Sequence, residues 1–148
     1  MNPKIKLRKF KLSDLNRILE IEQSSFSIDA YPKERFERLA KLHPQDFIVA
    51  ENQGKILGYI IAYNSSGNGN LDSIAIDPKY RKLGIGSQLV NYTIERFKKM
   101  GLKKVFLEVR TTNKKAISFF KKLGFEIKKM IKDYYRDKGN AYLMEKEI

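Results

Sequence analysis

The stretch LDSIAIDPKYRKLGIG, residues 71–86, narrows the folds open to this chain more than any other. Ile74-Ala75-Ile76 is a short apolar run of the kind a buried strand carries. Asp77-Pro78 stops it, because proline cannot donate to a sheet ladder. A basic turn follows, Arg81-Lys82-Leu83-Gly84-Ile85-Gly86. Ile85, Leu89, Val90, Ile94 and Phe97 then recur at helical spacing. The order is therefore strand, glycine-punctuated turn, amphipathic helix. Two glycines let the backbone approach a ligand closely, and the first N–H groups of the helix point outward at its positive end. Such a turn suits a polyphosphate. An ordinary strand-to-helix connection is the alternative. The spacing is neither the nucleotide-triphosphate loop nor the dinucleotide fingerprint.

Composition removes several chemistries. With no cysteine there is no disulfide framework and no acyl-cysteine intermediate. The single histidine, His43, lies in Lys-Leu-His-Pro with no nucleophile motif beside it, and no metal site is expected. If the chain transfers acyl groups, the group passes directly from donor to acceptor. The formal charge of +13 favours polyanions, among them coenzyme A and nucleic acid, although a solvated lysine-rich face accounts for many of these residues. The longest apolar run, residues 56–63, is too short to cross a bilayer, so no membrane association is expected. The first residues carry charge but no apolar signal core, which reads as a cytoplasmic protein.

The length of 148 residues fits one domain, 1–148. Residues 5–10 read as a first strand. Ser13 is placed to cap a helix from Asp14 to about Ser24. Pro32 suits the first turn of a second helix, with Phe36, Leu39, Ala40 and Leu42 on its inner side. Residues 47–51 and 56–63 form a hairpin through Asn52-Gln53-Gly54. Residues 65–70, SSGNGN, are the most loop-like stretch. After the strand at 71–76 and its helix come a strand at 105–109, a helix capped by Thr112 or Asn113 and closed by Gly124, and a last hairpin around residues 137–140. The order is βααβββαβαββ, an α+β domain with one mixed sheet and helices on its faces.

Four segments, IAIDPKYRKLGIG, FLEVRTTNKKAISFFKKLGF, DYYRDKGNAYLM and QSSFSIDAYP, resemble the GNAT acyl-CoA transferases over essentially the whole chain. Within them the resemblance is to the protein Nα-acetyltransferases, including the ribosomal-protein-alanine type. The resemblance implies an acetyl-CoA-dependent enzyme that acetylates a primary amine, most naturally a protein N-terminus, in a ternary complex. It implies a pantetheine arm along Ile74, Ala75 and Ile76. A pyrophosphate would rest on the loop from Arg81 through Lys82, Leu83, Gly84, Ile85 and Gly86 to Ser87. Lysine side chains or small amines are the alternative acceptors. A coenzyme A- or nucleic-acid-binding protein with little turnover is the alternative outside enzymology. Ribosome or nucleic-acid association and a monomer or homodimer are the expected assembly states.

Glu108 interrupts the apolar run Val105-Phe106-Leu107-Glu108-Val109. A carboxylate there is expensive to bury without a role or a partner. The resemblance makes it the general base. A salt bridge to Arg110, on the same strand face, or to a lysine is the competing reading. Asn113 would hold the cofactor arm, cap the helix, or do both. Phe120 stands in the cofactor region where the family usually has the tyrosine that protonates the leaving thiolate, and phenylalanine has no proton to give. Tyr31, Tyr134 and Tyr135 resemble the residues that wall the peptide entrance.

Overall fold

Alternation of apolar and polar residues, interrupted by glycine turns, lays down the strands. The computed structural model describes residues 4–26 and 29–148. Its elements are β1 (Lys6–Lys9), α1 (Leu15–Phe26), α2 (Lys33–Leu42), β2 (Phe47–Asn52), β3 (Lys55–Ser65), β4 (Asn68–Ile76), α3 (Ile85–Lys99), β5 (Lys104–Arg110), α4 (Lys114–Lys122), β6 (Glu126–Ile131) and β7 (Ala141–Glu147). The expected α+β order is the observed one. The strand order is β1-β2-β3-β4-β5-β7-β6. The pairing of β4 with β5 is parallel, and those of β1 with β2, β2 with β3, β5 with β7 and β6 with β7 are antiparallel. The chain divides into two compact units, residues 1–63 with 72–93, and residues 64–71 with 94–148.

In the first unit, α1 and α2 each bury one stripe. Leu15, Ile18 and Ile21 of α1 and Phe36 and Leu39 of α2 join Phe47, Val49, Ile56, Tyr59, Ile61 and Ala75 in one core. Phe36 meets Tyr59 edge to face at 5.7 Å, and Phe10 stacks on Phe47 at 4.2 Å. Leu42 does not share this core. It is 65% exposed, because it falls at the last position of α2, where the stripe has already turned outward. The entry to α1 also differs from expectation. A 3₁₀ turn, Leu12–Asp14, precedes the helix, and Asp14, not Ser13, satisfies a backbone donor by accepting from the Lys11 N–H at 2.8 Å. Arg8 closes this corner on Asp14 and Glu51 at 2.8 and 3.1 Å.

In the second unit, Phe97, Val105, Leu107, Val109, Ile117, Phe120, Phe125, Ala141 and Met144 are buried. Residues 65–70 are not a loop. β3 runs to Ser65, β4 starts at Asn68, and Ser66 and Gly67 turn the chain with φ of 52° and 90°. The polar composition serves this tight turn, with Asn64 accepting the Gly67 N–H at 2.9 Å. Gly69 lies under Phe97, where an added Cβ would stand 2.5 Å from the ring, so the glycine belongs to the packing.

Candidate active site

In the first unit β4 delivers the chain to the turn that opens α3. Asp77 is buried, accepts the Lys79 N–H at 2.9 Å, and is clamped by the Arg17 guanidinium, whose Nε donates to the Ile56 carbonyl at 3.0 Å. Burial works to raise the Asp77 carboxyl, but the Lys79 N–H and Arg17 outweigh it and hold it below the usual range. Arg81 also secures the turn. Its Nε donates to the Ile76 carbonyl and its Nη2 to Ser25, each at 3.0 Å. Lys82 and Gly84 take left-handed conformations, φ 65° and 84°. The chain then enters α3, whose first closed bond runs from the Gln88 N–H to the Gly84 carbonyl at 3.1 Å. Helix geometry leaves the N–H groups of Ile85, Gly86 and Ser87 without intrahelical acceptors. Among the described residues, and apart from its chain neighbours, no atom lies within 4 Å of where a Gly84 Cβ would stand. The result is an open, donor-rich, electropositive turn that suits a phosphate.

The strand before it offers a second surface. The Asp77 N–H donates to the Leu57 carbonyl, and the Ala75 carbonyl lies 2.9 Å from the position of a Gly58 Cβ, so these groups face β3. By antiparallel alternation, the peptide groups of Ile74 and Ile76 face the other way. The register of β4 with β5 pairs Gly69 with Val105 and Asn70 with Phe106. On that side the Ile76 carbonyl accepts from Arg81, whereas Ala75 turns its carbonyl to Gly58.

A buried polar cluster ties Tyr31 in place. Glu22, 1% exposed, accepts the Tyr31 backbone N–H at 2.9 Å and the Tyr59 hydroxyl, which in turn meets Ser73 at 3.0 Å. The Tyr31 hydroxyl donates to Asp72 at 2.7 Å, and Tyr63 donates to the other Asp72 oxygen at 2.6 Å. Arg35 pairs with Asp72 at 3.3 Å and lies 4.3 Å above the Tyr31 ring. Burial first, then the Asp72 carboxylate, raise the Tyr31 phenol far above its ordinary value, so it keeps its proton. Burial raises the Glu22 carboxyl above its ordinary 4.5, against the opposing bonds from Tyr59 and Tyr31.

In the second unit, Glu108 lies on the half-buried face of β5, opposite Leu143 of β7 in register, with Arg110 on the same face. Asn113 caps α4, its Oδ1 accepting the Ala116 N–H at 3.2 Å. Phe120 is buried and meets Phe125 edge to face at 5.6 Å. Tyr134 and Tyr135 stand side by side on the turn between β6 and β7, ring centroids 4.9 Å apart. Lys114, Lys121 and Lys122 of α4, with Tyr142, line an open cavity of about 550 Å³. Among the described residues no cluster of acids or histidine could hold a metal, and no helix is long and apolar enough to cross a membrane.

Residues 15–125 match the Acetyltransferase (GNAT) family. The chain belongs to the GNAT acetyltransferase family. An N-alpha-acetyltransferase of Sulfurisphaera tokodaii is 34% identical over 94% of this chain and 90% of its own length. The crystal structure of Ard1 from Thermoplasma volcanium superposes with a TM-score of 0.92 at 31% identity, covering 97% of each chain. That of Naa20 from Chaetomium thermophilum, in complex with a bisubstrate analogue, gives 0.87 at 29% identity over 97% of this chain and 86% of that one. As a GNAT enzyme, the chain is an acetyl-CoA-dependent N-acetyltransferase.

In this GNAT chain helical spacing puts Glu22 on the apolar face of α1 but gives it no partner, and the sequence does not single out Arg35, Tyr59 or Asp72. The signal that singled out Glu108 was also present at Asp72, an acid inside the apolar strand LDSIAI. For Arg110 the sequence suggests only Glu108 as a partner. Its engagement of the last hairpin, through Asp137, spans 27 residues of chain and left no local mark.

Proposed function

We propose that this enzyme acetylates the N-terminal α-amino group of polypeptides by direct transfer from acetyl-CoA. The observation that carries the reading is the turn from Ile76 to Ser87, where two left-handed residues deliver the chain to an open helix N-terminus. Its backbone donors suit the pyrophosphate, from Lys82 to Ser87, and the peptide groups of Ile74 and Ile76 that point away from β3 suit the amide-bearing arm, with the Ile76 carbonyl shared with Arg81. Asn113 holds the arm through whatever capacity its capping bond leaves. The acceptor class is supported by the N-alpha-acetyltransferase of S. tokodaii and by the fixed tyrosine Tyr31 and the pair Tyr134-Tyr135.

In the proposed step the neutral amine attacks the thioester carbonyl carbon. Glu108 takes the proton that the amine loses, directly or through water, and the carbon–sulfur bond breaks to release the thiolate. An α-amino group has a pKa of roughly 8, so a carboxylate base suffices to assist. Phe120 has no proton to donate, so the thiolate leaves unaided or is protonated by solvent or by another tyrosine. The test is coenzyme A release from acetyl-CoA with peptides beginning Met, Ala or Ser, beside an N-terminally blocked peptide with an internal lysine. Turnover with the free N-termini alone is expected. Turnover with the blocked peptide would move the acceptor to lysine.

We further propose that the lysine-lined face of α4 brings the enzyme to nucleic acid or to the ribosome. The cavity flanked by Lys114, Lys121 and Lys122 supports this reading.

A further inference from the structure

The turn joining β6 to β7 is assembled around a side chain from a different strand. Arg110 is the last residue of β5. Its Nη2 donates to Asp137 at 3.0 Å, and its guanidinium carbon lies 4.2 Å from the Tyr135 ring centroid. Asp137 also accepts the Gly139 N–H at 2.9 Å, the Tyr135 N–H donates to the Gly139 carbonyl at 3.1 Å, and the Lys138 N–H returns to the Tyr135 carbonyl at 2.8 Å. The Gly139 backbone passes so near the guanidinium that a Cβ there would stand 2.2 Å from Nη1. An exposed ion pair contributes little alone. Here the same planar group also stacks on a ring and fills the space beneath a glycine, so losing it frees three neighbours together. Glu108 lies two residues before Arg110, on the same face of β5.

We propose that Arg110 is a positioning residue for the acceptor: through Asp137, Gly139 and the face of Tyr135 it fixes the β6–β7 turn in the form that admits the substrate amine. The proposal rests on the reading that the acceptor passes Tyr134 and Tyr135. Arg110 acts through Tyr135 and touches no reacting atom. Its pairing with Asp137 also keeps a bare cation away from the approaching α-ammonium.

Steady-state kinetics with acetyl-CoA and a free N-terminal peptide test it in Arg110→Met, Arg110→Lys and Gly139→Ala. The last displaces the guanidinium without removing it. Arg110→Met and Gly139→Ala are each expected to raise the peptide KM about three- to tenfold, with kcat and the acetyl-CoA Kd moving less than about twofold. Arg110→Lys, which keeps charge but not the planar stack, should recover only part of the loss. In a Tyr135→Ala background, Arg110→Met should add nothing. An equal shift in acetyl-CoA affinity, or full additivity with Tyr135→Ala, overturns the proposal. Trypsin cleavage at Arg136 and Lys138 gives a readout free of turnover, and it should quicken in Arg110→Met at unchanged Tm. Should the unmodified enzyme transfer to no free N-terminus, the acceptor reading fails, and unchanged cleavage would then separately sink the clasp.

Discussion

Glu108 occupies a strand position that its neighbours fill with valine and leucine. Replacing it with glutamine keeps the shape and removes the proposed base. Glu108→Gln should lower kcat by about 10²- to 10⁴-fold near neutral pH, while calorimetry gives an unaltered acetyl-CoA Kd. Full activity at neutral pH would remove the base assignment. Glu22 is a different buried acid, because both groups that bond to it are donors, the Tyr59 hydroxyl and the Tyr31 N–H. Glu22→Gln supplies one acceptor where two are needed and should cost about 1–3 kcal/mol in urea unfolding at neutral pH. The pH dependence follows from the direction of its shift. With the folded-state pKa raised by burial, the contribution of Glu22 is fully present below its unfolded value and declines as pH rises through the folded one. The stability gap between the parent and Glu22→Gln should therefore narrow as pH climbs from about 4.5, and a widening gap would reverse the assignment.

At the scale of elements, two glycines serve the same region in different ways. Gly84 needs its left-handed φ of 84° and has open space around it. Gly84→Ala should cost about 1–2 kcal/mol of backbone strain, and relief of that strain by a shifted turn should show as weaker acetyl-CoA binding in titration. Gly58 has no unusual φ, but a Cβ there would stand 2.5 Å from the end of Ile76 and 2.9 Å from the Ala75 carbonyl. The side-chain tip can swing away, whereas the carbonyl is part of the strand. Gly58→Ala should destabilise by about 1–3 kcal/mol, measured as a lower denaturant midpoint, because β3 and β4 must separate. Sequence marked the element at 71–86 well, since short apolar runs, Asp-Pro and paired glycines act locally. It misread residues 65–70 because a polar stretch looks alike whether it makes a long loop or a two-residue turn. It also placed Leu42 in the core, where helix periodicity holds but the helix end does not.

Over the whole molecule the charge of +13 adds a sequence-independent attraction to polyanions. α4 alone contributes Lys114, Lys115, Lys121 and Lys122. If this face binds RNA, affinity should fall steeply and linearly on a log–log plot against salt, and Glu108→Gln should bind as tightly as the parent. A salt-independent affinity would point to a different contact. The acids that offset this charge are held in specific pairs. Asp14 binds Arg8, Asp77 binds Arg17, and Asp137 binds Arg110.

By itself the sequence determined the order of elements, the glycine-punctuated turn and the acid in β5. Each of these is written within a few residues, in periodicity, glycine placement or an out-of-place charge. Tertiary structure alone decided which polar groups meet. Glu22 reaches Tyr59 across 37 residues, Tyr31 reaches Asp72 across 41, and Arg110 reaches Asp137 across 27. The physical reason is that a buried or stacked polar group takes its partner from whatever the fold brings within hydrogen-bond distance, and chain separation leaves no local trace of that choice.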